Sequence, residues 1–292
     1  MNMKLIERAI ESYENTLASD DRDRLAFFRM LWQTLDARSG EGARASVWSL
    51  DAEELCRAAQ DGTPLFAAKP ACVSLDELIE AFDALVAAIR TSGAYPEEAV
   101  AALESAPVRD AAQAAGMDRA GACPEEFLAA FADALLDCGV GERHAVLCAT
   151  LLSLALRSSI EHQAAQAFSA LEAAGAAASS LHCPVCGAAP ALAHVGAGGS
   201  SAARKRKLVC LQCGTAWEFD RIRCARCGTR DQESLHAYSM PGDDAHRIAV
   251  CDECGGSIKT LFSDDMFSIC SYEVEDVVMA KLDAAVRAGE GR

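Results

Sequence analysis

From residue 3 to about 172, apolar positions recur every three or four residues, the spacing of helices that bury one face. Ser74-Leu75-Asp76-Glu77 reads as a capping box: the Ser74 hydroxyl takes the Glu77 N–H while the Glu77 carboxylate reaches back. Behind it Leu75, Leu78, Ile79, Phe82, Leu85, Val86 and Ile89 form one stripe. Pro96 and Pro124, each followed by Glu-Glu, read as first-turn prolines with acids at the positive helix end. After Pro124 the stripe resumes with Phe127, Leu128, Phe131, Leu135 and Leu136. Further helices are expected at about 3–17, 21–37, 51–60, 97–105, 107–116, 142–157 and 160–174, with glycine-containing breaks at 39–42, 93–95 and 139–141.

The pattern then changes. The alanine-rich stretch Leu171 to Ser180 reads as a helix fraying into a linker. Gly196-Ala197-Gly198-Gly199-Ser200-Ser201, followed by Arg204-Lys205-Arg206-Lys207, reads as a hairpin with a glycine-rich tip and a basic return arm. Trp217 and Phe219 alternate with Glu218 and Asp220, the period of a strand with one apolar face; those aromatics would cover a metal centre or pack between units. A closing helix is expected from about Tyr272 to Ala288, with Val274, Val277, Val278, Leu282 and Val286 toward the core, packed on the metal units or on the helical domain. The fold class is therefore a multidomain α plus small metal-bound β protein. An acidic all-helical domain (1–172) and a linker (173–181) precede two rubredoxin-like or zinc-ribbon modules (182–220 and 221–271). A C-terminal helix and tail (272–292) complete the chain.

The modules are called metal-bound because of their cysteines. Four Cys-x-x-Cys pairs, Cys183/Cys186, Cys210/Cys213, Cys224/Cys227 and Cys251/Cys254, are each followed by glycine. Residues 187–209 separate the first two pairs and residues 228–250 the last two, so the first half overlays the second as a duplicated unit. Two intervening residues let both thiolates of a tight turn point at one ion, and the following glycine supplies a positive φ without a Cβ clash. Two such turns make a closed four-sulfur site suited to zinc or a rubredoxin-type iron. Two metal ions, Fe or Zn, are expected. One is assigned to Cys183, Cys186, Cys210 and Cys213, the other to Cys224, Cys227, Cys251 and Cys254; an interleaved pairing of the first turn with the third stays open. Metals that only hold a small fold together are the plain reading; disulfides and redox-active dithiols are the alternatives.

Charge narrows the partners. The 292-residue chain carries a net charge of −16, and its first 180 residues hold 14 Lys/Arg against 28 Asp/Glu. Such acidity weighs against general nucleic-acid binding, which draws on phosphate neutralisation. It reads as a solvated face or as a docking face for a basic peptide. The N-terminal residues lack the apolar core of a signal peptide, and the apolar run Ala145 to Leu156 is too short for a bilayer, so a cytoplasmic location without membrane insertion is expected. Fourteen cysteines then favour metal ligation over disulfides. Cys56, Cys72, Cys123, Cys138, Cys148 and Cys270 lack a paired spacing and read as buried small hydrophobes. Trp32 and Trp48 read as core contacts, and His182, His194, His236 and His246 are left outside the ligand sets because eight thiolates complete two sites.

Cys183-Pro184-Val185-Cys186-Gly187, Cys210-Leu211-Gln212-Cys213-Gly214-Thr215-Ala216-Trp217, the third pair, and Cys251-Asp252-Glu253-Cys254 with Lys259 downstream resemble the formate dehydrogenase accessory protein FdhE family. Glu275-Asp276, with Leu282-Asp283 and Gly289 beyond, is similar to that family's acidic closing helix. Ser257 departs from the pattern, where many members carry an aromatic residue. The resemblance implies a cytoplasmic, non-catalytic assembly factor that binds the molybdenum- or tungsten-containing catalytic subunit of formate dehydrogenase and holds iron through the cysteine pairs. A zinc-ribbon nucleic-acid-binding protein and a rubredoxin-like electron carrier are the competing classes.

Overall fold

A computed structural model of the chain describes residues 1–14, 16–39, 47–176, 179–196, 206–263 and 269–287. Among the described residues ten helices come first: α1 (Met3–Tyr13), α2 (Ser19–Ser39), α3 (Ala52–Asp61), α4 (Leu65–Ala68), α5 (Leu75–Ser92), α6 (Glu97–Ser105), α7 (Val108–Ala115), α8 (Met117–Ala122), α9 (Pro124–Asp137) and α10 (Glu142–Ala173). Six strands follow: β1 (Leu192–Val195), β2 (Arg206–Val209), β3 (Ala216–Phe219), β4 (Leu235–Tyr238), β5 (His246–Cys251) and β6 (Ser257–Phe262). Two helices, α11 (Tyr272–Val278) and α12 (Ala280–Arg287), end the described chain. The expected order of helical region, cysteine-bearing sheet region and closing helices is thus observed. Among the described residues no helix is long and apolar enough to cross a membrane.

The 32-residue α10 organises the helical part. Leu151, Leu152, Ala155, Leu156, Ile160, Ala164 and Ala167 are buried along it, against the predicted α5 stripe and Phe127, Phe131 and Leu135 of α9. Two helices were expected here, broken near Ser158-Ser159. They are one, because both serine hydroxyls donate to the Ala155 carbonyl of the preceding turn (2.7 and 3.3 Å) and stay satisfied inside the helix. The cap at Ser74 is half of the expected box: Ser74 accepts from the Glu77 N–H at 3.4 Å, and no return bond is found among the described residues. Asp51 and Glu54 form the complete box, at 2.8 and 3.4 Å, and start α3.

Trp32 and Trp48 lie in the core as expected, the latter donating its indole N–H to the Lys69 carbonyl at 2.9 Å. The unpaired cysteines correct their reading. Only Cys148 is buried; Cys56, Cys123 and Cys270 are half-buried, and Cys72 and Cys138 are exposed. At Cys72 the backbone is the anchored part, its N–H and carbonyl both held by the Gln163 amide (2.8 and 3.0 Å), which leaves the thiol outside.

The two cysteine-bearing units share one sheet, ordered β3-β2-β1-β6-β5-β4. Each contributes an antiparallel three-stranded meander, and the two join through the parallel pair β1–β6, with Leu192 opposite Lys259 and Val195 opposite Phe262. The hairpin predicted around 196–207 is β1–β2; its glycine-rich tip and Arg204-Lys205 lie outside the described residues. Trp217 and Phe219 of β3 face inward as their alternation predicts, and the Trp217 indole donates to the Ser180 carbonyl at 2.9 Å.

The single closing helix breaks at the buried Met279. The break lets the two pieces bury different faces. Val274, Val277 and Val278 of α11 pack on Ile6, Ile10, Leu25 and Trp32 of α1 and α2, while Leu282 of α12 packs on Ile248 and Leu261 of the sheet. Lys259 of β6 pairs with Asp276 (2.6 Å) and Asp283 (2.7 Å), one on each piece, and so pins the bend.

Candidate metal centres

Each Cys-x-x-Cys-Gly segment folds into the same knuckle. The N–H of the glycine donates to the carbonyl of the first cysteine, at 2.9 Å for Gly187 and Gly214, 3.1 Å for Gly228 and 2.8 Å for Gly255. The first cysteine's N–H donates in turn to the carbonyl of the residue after the glycine, at 2.8–2.9 Å in all four. Closing that loop requires φ of 65–83° at the glycines, a conformation in which a side chain is strained.

The strands bring the knuckles together as first with second and third with fourth. Cys183, Cys186, Cys210 and Cys213 form one cluster and Cys224, Cys227, Cys251 and Cys254 the other, with the sulfurs of each within 4.8 Å of one another. This is the sequential arrangement. Cross-knuckle separations are 3.5 Å for Cys183–Cys213 and Cys186–Cys210, and 3.8 Å for Cys224–Cys254 and Cys227–Cys251. A disulfide needs about 2.05 Å, whereas a tetrahedral ion with metal–sulfur bonds of about 2.3 Å has sulfur–sulfur edges near 3.8 Å. The donor set therefore fits a four-coordinate zinc or iron ion at each cluster.

Electrostatics agree. In the first cluster neighbouring sulfurs, Cys183 foremost, push Cys186 and Cys210 well above the usual thiol range, and burial adds to this. Burial also pushes Cys213 up, yet hydrogen bonds from the other three cysteines and from Thr215 (3.2 Å) overcome it and hold Cys213 well below that range. Four sulfurs so close cannot all carry charge without a cation among them. In the second cluster burial again opposes ionisation at Cys224, but the backbone N–H groups of Cys227 (3.5 Å) and Arg226 (3.3 Å) bring it down to about 7.

The two clusters differ in their surroundings. All four cysteines of the first are buried; in the second, Cys227 and Cys254 are exposed. The helical part grips the first directly. The N-terminal amides of α4 donate to the first knuckle, Leu65 to the Pro184 carbonyl (3.0 Å) and Phe66 to the Val185 carbonyl (2.8 Å). Arg157 of α10 donates to the Leu211 carbonyl of the second knuckle at 2.9 Å and pairs with Glu273 of α11. Ser153 meets Gln212 at 2.9 Å. None of these partners carries a sequence signal of its own: Arg157 is one cation in a helix, and its role exists only once the knuckle is docked.

The histidines bond elsewhere: His194 to Tyr272 and Ser263, His236 to Asp252, and His246 to Asp243, Glu275 and Tyr13. His182 is exposed at the mouth of the first knuckle, outside both clusters.

The resemblance read from the cysteine region is borne out. Residues 182–221 match the family model described as "FdhE, central domain". A "Protein FdhE homolog" of Shewanella baltica (strain OS185) is 33% identical over 109 residues, which are 36% of this chain and 34% of that protein. Another, from Aquifex aeolicus, is 28% identical over 103 residues, 35% of each chain. The matched stretch thus spans about a third of these relatives' length. The crystal structure of the FdhE protein from Pseudomonas aeruginosa superposes with a TM-score of 0.54 over 99% of this chain and 90% of that one, at 20% identity, so the fold is shared along the whole length.

Proposed function

With an FdhE-type central region set in the FdhE fold as the premise, we propose that this chain is an assembly factor for formate dehydrogenase that binds the enzyme's catalytic subunit in the cytoplasm and catalyses no reaction itself. The observation that carries this reading is the match of the duplicated cysteine region to the FdhE proteins. Cys183, Cys186, Cys210 and Cys213 would hold one ion, and Cys224, Cys227, Cys251 and Cys254 the other, as iron or zinc. Bound there, each ion supplies a cross-link between two knuckles, which stiffens loops too short to hold a core of their own. The chain's own residues do the rest: α4 and Arg157 fix the first unit to the helices, and the β1–β6 pairing fixes the second to the first. What results is one continuous surface, fit to hold a large folding partner.

The test is co-purification. A formate dehydrogenase catalytic subunit should be retained by the wild-type chain and lost from a Cys227→Ser/Cys254→Ser variant whose helical region stays folded by circular dichroism. Formate dehydrogenase activity unchanged by deletion of the gene would refute the reading.

A further inference from the structure

Between the two halves of the sheet, on the face away from α12, lies a cleft of about 280 Å³. Arg206, Arg221, Arg223, Arg226 and Arg247 line it, and no Asp or Glu does among the described residues. That is a concentrated positive wall on a chain of net charge −16. The buried Arg206 comes from β2 in the first unit, and the others come from the second, so the cleft exists only because β1 and β6 pair. Its floor is apolar, with Val195, Ala249 and Ile258.

The guanidiniums are held from behind. Arg206 and Arg223 stack over Phe219 at 5.6 and 5.1 Å, and Arg247 stacks over Phe262 at 4.5 Å. Stacking fixes the plane of the group; Arg223 is held further by the Gly228 and Ser179 carbonyls (3.3 and 3.4 Å) and lies 3.7 Å from Asp220. Arg206 gives one N–H to the Arg223 carbonyl at 2.8 Å, and Arg226 gives its Nε–H to the Ser257 carbonyl at 3.0 Å. Among the described residues no carboxylate pairs with Arg206, Arg221, Arg226 or Arg247, and no guanidinium donates to a cysteine sulfur. Cys224 and Cys251 line the same cleft and Cys224 attracts the Arg206 guanidinium, so part of the positive charge balances the second cysteine cluster, while the hydrogen-bonding edges of Arg221 and Arg247 stay available to a ligand.

We propose that this cleft binds a small organic phosphate, its phosphoryl oxygens taken by the arginine forks and its carbon skeleton resting on Val195, Ala249 and Ile258. Planar guanidinium forks match phosphate oxygens two at a time, and a cleft of this size suits a compact polyanion better than an extended chain. The site is separate from the assembly role and stands or falls without it.

The test uses the full chain with its metal retained. Inorganic pyrophosphate, titrated calorimetrically at low salt, is expected to bind, and Arg221→Gln and Arg247→Gln are each expected to weaken binding about tenfold, the scale of one lost charge-assisted contact. Arg221 is exposed and Arg247 half-buried, so these variants spare the buried Arg206, and metal content should be unchanged in both and melting unchanged in Arg221→Gln. Hexaglutamate and a single-stranded oligothymidylate serve as competitors. The proposal is overturned if wild-type protein fails to bind pyrophosphate, if neither variant weakens it, if either competitor binds more tightly, or if the weakening appears only with loss of metal.

Discussion

The unequal burial of the two cysteine clusters predicts that their ions leave at very different rates. Chelators remove metal from a knuckle pair once it opens, and opening the first cluster requires undocking it from the helices. Three hydrogen bonds to the knuckle carbonyls break: Leu65 to Pro184, Phe66 to Val185, and Arg157 to Leu211. At about 1 kcal/mol each they contribute roughly 3 kcal/mol. Exposing Val185, which is 0% accessible, adds about 2 kcal/mol. Among the described residues the second cluster has no such anchors on the helices: its corresponding knuckle carries the exposed Arg226, and its last knuckle presents exposed Asp252 and Glu253. The chain entropy released on opening is similar for two units of equal length and largely cancels. A difference of about 5 kcal/mol corresponds to a factor of between 10³ and 10⁴ in the opening equilibrium. With a colorimetric chelator in excess, release should be biphasic, one ion per phase, the fast phase absent from Cys254→Ser and the slow phase accelerated by Arg157→Gln. A single phase, or a fast phase that survives Cys254→Ser, would show that docking on the helices does not control access.

Arg157→Met should lower stability by about 2–3 kcal/mol in urea unfolding, because it leaves the Leu211 carbonyl without its donor and the half-buried Glu273 carboxylate with only the Ser271 hydroxyl (2.6 Å); an unchanged midpoint would contradict the role given to this residue. Burial lowers the pKa of His246, but its hydrogen bonds to Glu275 and Asp243 (both 2.9 Å) outweigh that and leave it raised. A raised folded value means that the stability it contributes is fully present below about pH 6.5, its unfolded value, and is lost as pH rises through the folded value. The stability gap between wild type and His246→Asn should therefore be widest near pH 6 and narrow toward alkaline pH, and a gap that widens instead would reverse the assignment. Gly121→Ala should destabilise by about 1–3 kcal/mol, since an added Cβ would sit 2.1 Å from the Ala71 carbonyl oxygen; thermal melting measures it.

Knuckles, helix stripes and the β3 alternation were readable because each depends on residues within a few positions. Cys-x-x-Cys-Gly carries its own hydrogen-bond pattern, and Leu78, Phe82 and Leu85 declare a buried face by spacing alone. What escaped was set at a distance. Pairing of 192–195 with 259–262 joins segments with no shared motif, so nothing in the spacing said that the two expected modules would share one sheet. Ser158-Ser159 looked like a break because their helical back-bonding is invisible until the helix exists. Cys72 and Cys138 were placed inside on residue type, while a Gln163 contact and a helix end decide their exposure. The arginines around Cys224, at 221, 223 and 226, stood in the sequence but acquired a direction only when Arg206 and Arg247 arrived from other strands.

Duplication supplied two units with the same ligands, and packing then gave them different work. Val185 and Leu211 in the knuckles of the first copy meet α4 and α10, which makes that cluster part of the hydrophobic core: Cys183, Cys186, Cys210 and Cys213 sit in the same buried set as Phe66, Leu156 and Phe131. The corresponding positions of the second copy are Arg226 and Asp252, both charged and exposed, which suits solvent rather than a helix, so its cluster keeps Cys227 and Cys254 exposed beside the arginine cleft. Losing the first ion should thus disorganise the helical region as well, whereas losing the second should remove only the outer half of the sheet. A partner that reads the metal state of this chain would have to read it at Cys227 and Cys254, because those are the cluster positions it can reach among the described residues.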